Sequence, residues 1–207
     1  MENLPALFGT GLGLSAGAGL NAYAVLLVYG TLARFFPEEY PGKIAHLLGT
    51  TPALLVLGFL FVLEFFVDKI PGADHAWDVL HTVIRPIAGG VLAVAAVGPR
   101  SDPAVTVLAG GTGGVVALAA HLLKSATRLT STALTAGVAN AALSLAEDVL
   151  AFLQALVSVF LPMVALAVVL GLGVIFVFTV PRIVRKVNPF DRRSRARGQA
   201  PAPTRNA

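Results

Sequence analysis

Apolar residues run through this chain in stretches long enough to cross a bilayer, and the polar residues inside them recur three or four positions apart. That spacing places them on one face of a helix. Residues 5–36 are apolar for longer than the roughly 20 helical residues that span the hydrocarbon. A kink or break is therefore predicted near Ala18 to Asn21, where Gly11 and Gly19 loosen the chain before Asn21-Ala22-Tyr23 and Asn21 turns inward. Gly9, Gly13 and Gly17, four apart, bare the backbone along one face for close helix contact. Arg34 and the loop 37–41 close the first span. The second opens at Thr50-Thr51-Pro52, with proline suited to a first helical turn, and runs to about Ile70.

Pro71-Gly72 turns the chain, and Asp74 is placed to cap the next helix. If that helix continues past Pro86 to about Val97 it is a full third span. If it stops before Pro86, residues 74–85 form an interfacial amphipathic helix and 87–97 is too short to cross. The kinked full span is the expectation. A fourth span is predicted from about Ala104 to Thr127, interrupted by Gly110-Gly111-Thr112-Gly113-Gly114, and a small-residue linker over 129–142 follows. Ser144 and Glu147 have the spacing of a capping box that starts a helix. The apolar run from Val149 to Val180 would be about 48 Å long as one helix, so Pro162 divides it into spans five and six.

The fold class expected is an all-α, polytopic membrane bundle of about six spans, with glycine-broken helices, over residues 1–188. Residues 189–207 are expected to form a basic, disordered cytoplasmic tail. An internal repeat is suggested by Ala76-Trp77-Asp78-Val79-Leu80 and Ala146-Glu147-Asp148-Val149-Leu150, which share four of five residues, each opening a helix after a hairpin turn.

Composition agrees with the pattern. Of 207 residues 56% are hydrophobic and 13% charged, with a mean hydropathy of +0.81, whereas about a quarter of a soluble domain is charged. No cysteine is present, which excludes disulfides, thiolate catalysis and thiolate metal sites. Met1 to Pro5 lacks the positive region of a secretory signal, so the first apolar segment is expected to stay in the mature protein. Eight of fifteen Lys and Arg lie from Arg182 onward. A basic tail after a spanning helix fits a cytoplasmic C-terminus in a multi-pass membrane protein, where it attracts anionic lipid. It has no interleaved aromatics or folded module, so nucleic acid is not an expected partner.

The candidate chemistry lies in charges embedded in these runs. Glu64 and Asp68 are four apart; Asp78, His81 and Arg85 share a second face; His121, Lys124 and Arg128 share a third; Glu147 and Asp148 are adjacent. An ionised side chain at mid-bilayer costs about 2.5–3.5 kcal/mol even on lenient insertion scales. These groups are therefore expected to converge inside the bundle near Asn21, with Glu64 and Asp68 as partners of Arg85, Lys124 or Arg128. The competing reading leaves Lys69, Arg128 and Asp148 at helix ends, the long basic chains snorkelling to headgroups. No H-E-x-x-H or P-loop occurs, so no metal, cofactor or enzymatic activity is predicted.

The segments Leu12 to Tyr23, Leu63 to Gly72, Trp77-Asp78 with His81 and Arg85-Pro86, and Ser144 to Asp148 resemble the uncharacterised bacterial integral-membrane family catalogued as domain of unknown function 4126. The resemblance covers roughly residues 8–185 and is most specific from Glu64 to Pro86. It implies a polytopic inner-membrane protein and brings no substrate, activity or cofactor with it.

The leading functional expectation is a transporter or channel for an ion or small polar solute. Asn21, Glu64, Asp68, Asp78, His81, Arg85, His121, Lys124, Glu147 and Asp148 would line its path. The carboxylates would bind a cation or proton, and the histidines would titrate. A scaffold protein packing through glycine faces, as a homo-oligomer or with other partners, is the second reading. A lipid-active membrane enzyme with a cleft open to the bilayer is the third.

Overall fold

The computed structural model describes residues 4–70, 73–99 and 101–187, with 73–75 and 179–187 as backbone alone. The Asp74 cap and the tail 189–207 fall outside what it describes. Among the described residues there are eight helices and no strand: α1 Leu4–Leu20, α2 Ala22–Phe35, α3 Lys43–Leu48, α4 Thr51–Val67, α5 Ala73–Val97, α6 Pro103–Thr135, α7 Asn140–Phe160 and α8 Pro162–Val187.

The first apolar run does break, at Asn21. Its backbone is extended (φ −147°, ψ 104°), ending α1, while its side-chain Oδ1 accepts from the Ala24 N–H and caps α2. In α4, Pro52 sits in the first turn, as read from the sequence, and Thr50 is the N-cap. α5 passes unbroken through Pro86 to Val97, so the helix does not stop before the proline as the interfacial alternative required. At Pro162 the apolar run divides: α7 ends with Leu161 as its cap residue (φ −135°) and α8 begins.

Several expectations need correction. Gly110 to Gly114 do not interrupt α6, which is continuous for 33 residues, because Gly113 and Gly114 press against the α5 backbone, which replaces the support they lack. The linker expected over 129–142 is largely helix, with a turn at Ala136 (φ 53°) and Gly137 (φ 85°). Ser144 does not start α7, which begins at Asn140, so the two similar pentapeptides do not occupy matching helix starts. The short α3 was not predicted.

Packing centres on an antiparallel α5/α6 pair. A Cβ built on Gly113 would lie 2.5 Å from the Ala93 Cβ and 2.7 Å from the Gly89 carbonyl oxygen, and one on Gly90 would lie 3.0 Å from that of Gly110. The two backbones touch, and only glycine allows it. α1 lies in the groove they leave. Ser15 Oγ sits 2.7 Å from the Gly11 carbonyl oxygen and 2.8 Å from that of Gly89, its one hydrogen serving both. Ala151 and Ala155 bring α7 against the other side of α1, and an apolar core of Leu14, Val25 and Leu92 fills the space between.

The outside is greasy and the inside charged. Phe59 (67% exposed), Val79 (74%) and Val107 (76%) face outward, while Glu64, His81, Arg85 and Arg128 are fully buried. That is the reverse of a soluble domain and the order expected in hydrocarbon. Residues 76–97, α6 and α7 are each long and apolar enough to cross a membrane. Residues up to Leu170 form one compact unit, and from Gly171 the described chain is the remainder of α8.

The contact at Gly113 yields a paired test. Gly113→Ala should destabilise the protein by about 1–3 kcal/mol through overpacking. Gly111→Ala, whose Cβ would meet nothing within 4 Å, should leave thermal unfolding of the detergent-solubilised protein unchanged or slightly raised.

Candidate functional site

The site is assembled where α1 stops. Asn21 ends that helix, so the Gly19 and Leu20 carbonyls have no helical N–H ahead of them. They are met by cations. Arg85 NH1 from α5 donates to the Gly19 oxygen at 3.2 Å, and Lys124 Nζ from α6 donates to that of Leu20 at 2.8 Å. A helix C-terminus carries partial negative charge, so both contacts are favourable.

Carboxylates complete the neutralisation. Arg85 NH2 lies 2.8 Å from Glu64 Oε1, and its NH1 lies 3.8 Å from Asp78 Oδ1. Arg128, one turn beyond Lys124, donates through NH2 at 2.7 Å to both Asp68 Oδ2 and Glu147 Oε2, with Nε adding a 3.1 Å bond to the latter. Lys124 lies between the same two acids, 3.2 Å from Asp68 Oδ2 and 3.4 Å from Glu147 Oε2. Asp148 Oδ1 accepts from Asn21 Nδ2 at 2.9 Å, tying α7 to the helix break. Lys69 approaches Asp148 Oδ2 at 3.8 Å, with its ammonium over the Phe65 ring at 3.2 Å from the centroid.

The histidines sit inside this frame. His121 Nδ1 is 2.6 Å from Arg85 NH1, and its Nε2 is 3.2 Å from Thr82 Oγ1. His81 Nδ1 is 2.9 Å from the Trp77 carbonyl oxygen, and its Nε2 is 3.8 Å from Glu64 Oε1. Tyr23 meets the His81 ring edge-on, centroids 5.5 Å apart, and Trp77 lies 5.1 Å away on another side. Among the described residues no three His, Asp or Glu are grouped as a metal ion would require.

The ten residues singled out from the sequence, from Asn21 to Asp148, thus lie in one buried cluster built by the α1–α2 break and α4 to α7, none above 8% exposure. Arg128 belongs with them. At no exposure it is not a snorkelling helix-end residue, and neither is Asp148 at 5%. Lys69 keeps part of that character, since a quarter of its side chain is exposed. Sequence reasoning passed over Tyr23, Trp77, Thr82 and Ser15. Trp77 and Thr82 could have been found, because each lies four residues from a charged or imidazole neighbour, His81 or Asp78, on the same helix face.

At the other end of the bundle is a cavity of 570 Å³ lined in part by Thr10, Tyr29, Glu38, Tyr40 and Pro99. Tyr40 lies in the loop outside the spans. Burial, and then the neighbouring Glu39 carboxylate, hold its phenol above the ordinary 10.0. Leu14, Val25 and Leu92, all fully buried, form the apolar layer on which Tyr29 packs below this cavity.

Fold and site together define an all-helical membrane protein with a buried cluster of paired charges beside a broken helix. The chain belongs to the family described as Domain of unknown function (DUF4126), whose model matches residues 8–182. Comparison with curated proteins and with solved structures finds no match to either.

Opening one ion pair measures what the cluster demands. Arg128→Met leaves Asp68 and Glu147 without their shortest partner. It should cost about 3–5 kcal/mol, the usual penalty for stranding a buried charge. Adding Glu147→Gln to that variant should restore part of the loss, as read from thermal unfolding in a double-mutant cycle.

Proposed function

We propose that this protein is a non-enzymatic membrane transport protein whose polar cluster binds a proton or small cation, described in a closed conformation. The observation that carries the reading is the helix break at Asn21. It delivers two backbone carbonyls to Arg85 and Lys124, in the same cluster as Glu64 and Asp68. Interrupted helices with terminal carbonyls beside charged side chains are how transporters build ion sites at membrane depth. The α1–α2 pair would serve as one broken span, with α4, α5, α6, α7 and α8 as the others, giving six. The basic tail would lie on the cytoplasmic side of the inner membrane, against anionic lipid.

Energetics support a functional origin for the cluster. Desolvating each charge costs several kcal/mol, and a buried ion pair returns little more than an apolar pair of the same volume. Four cations and five carboxylates are therefore an expensive way to hold six helical segments together. Every buried charge having an opposite partner, together with the glycine contacts, favours a second reading: a sealed scaffold that assembles through its helix faces, including with copies of itself.

Flux through the purified full-length protein in liposomes separates the two. The transport reading expects proton or monovalent-cation flux that Glu64→Gln with Asp68→Asn abolishes. Flux that survives both changes would remove these carboxylates from the path. A sealed vesicle for every ion tried would leave the scaffold.

A further inference from the structure

The hydrogen-bond directions around the two histidines are fixed by their partners. Arg85 is a donor only, so His121 Nδ1, 2.6 Å from its NH1, must accept and carries no hydrogen. The remaining ring hydrogen is then on His121 Nε2, which points at Thr82 Oγ1. That hydroxyl has a free lone pair, because its own hydrogen goes to the Asp78 carbonyl at 3.1 Å. His121 is a neutral link in a chain from Arg85 to Thr82, and a second proton would have to displace the guanidinium.

His81 is the opposite case. Its Nδ1 faces a carbonyl, that of Trp77, which can only accept, so Nδ1 carries the hydrogen and Nε2 presents a lone pair. Nε2 is buried and has no hydrogen-bond partner; Glu64 Oε1 lies 3.8 Å from it, and Glu64 Oε2 also lacks a partner. Two acceptors, both at 0% exposure, face each other. With Glu64 ionised and His81 neutral, neither has a hydrogen to offer the other.

Charge counting arrives at the same place. Glu64, Asp68, Asp78, Glu147 and Asp148 face Lys69, Arg85, Lys124 and Arg128. With both imidazoles neutral, these described residues are one positive charge short, and an uncompensated charge in a buried cluster is disfavoured. We propose that the cluster holds one exchangeable proton, bound at Glu64 and His81 Nε2, while Arg85 keeps His121 from titrating. The groups around this site come from every packed element: Tyr23 of α2 on the imidazole edge, Asp68 at the end of α4, Trp77, Asp78 and Arg85 of α5, and His121 and Lys124 of α6. Arg85 holds Glu64 Oε1, so Oε2 and Nε2 are the positions left for the proton. The proposal deepens the transport reading by naming the proton as the bound ion.

The test needs neither a gradient nor flux. Nitrogen-15 NMR of histidine-labelled full-length protein in lipid nanodiscs, assigned with His81→Gln and His121→Gln, reports the tautomers across a pH series. Infrared difference spectra report a protonated carboxyl. The expected result is a His121 that stays neutral with hydrogen on Nε2, and a His81 with hydrogen on Nδ1. One proton per chain should be released on raising the pH, seen as loss of a protonated-carboxyl band that Glu64→Gln removes, or of a His81 imidazolium. A His121 imidazolium, a His81 carrying its hydrogen on Nε2, or no proton on either group at any pH would overturn the proposal. So would signals that follow sodium concentration and ignore pH. The wild-type tautomers decide even if Glu64→Gln does not fold. A titrating site in a protein that moves no ions would sink the transport reading and leave this one standing.

Discussion

A charge inside an apolar shell must be answered by another charge or by an oriented dipole, and this bundle is arranged around that requirement. Arg85 and Lys124 each combine the two solutions: a carboxylate from α4 on one side, and a free carbonyl at the end of α1 on the other. The carbonyls are free only because Asn21 leaves the helical conformation, and Asn21 can be buried there because Asp148 and the Ala24 N–H satisfy its amide. The helix break, the two cations and the α7 carboxylate are therefore one structure. Removing any member leaves a desolvated group whose cost the others cannot meet.

The same constraint explains how side-chain size is distributed along the bundle. Around Ser15, Gly89 and Gly113 the helices touch backbone to backbone, and close packing takes the place of large apolar side chains. One to two turns along, at Gly19, Arg85 and His121, the space is occupied by long polar groups. The narrow layer fixes α1 against α5 and α6, and this is what holds the Gly19 carbonyl within reach of Arg85. The tightly packed half thus positions the polar groups of the other half.

Much of this was legible in the chain. Glu64 and Asp68, or His121, Lys124 and Arg128, recur at helical spacing inside apolar runs, and the cost of exposing them to lipid says that they turn inward. Asn21 was marked by an apolar run too long for one crossing. Gly110 to Gly114 were misread because helix propensity is a local quantity. It records what glycine costs in an isolated helix, whereas a backbone pressed against Gly89 and Gly90 offsets that cost. Ser144 was misread for a similar reason. The capping-box spacing occurs inside α7, where its hydroxyl instead lies 3.5 Å from Lys69 Nζ.

By itself the sequence determined the solvent, the helical class and which side chains had to be hidden, since each follows from the composition and periodicity of neighbouring residues. Tertiary structure alone decided who partners whom. Arg85 takes Glu64 and the Gly19 carbonyl, Arg128 takes Asp68 and Glu147, and His81 is left facing a carboxylate. Periodicity gives the face a residue occupies but not the height or rotation of the helix across from it. Those are set by the glycine contacts between α1, α5 and α6, made by residues far apart in the chain.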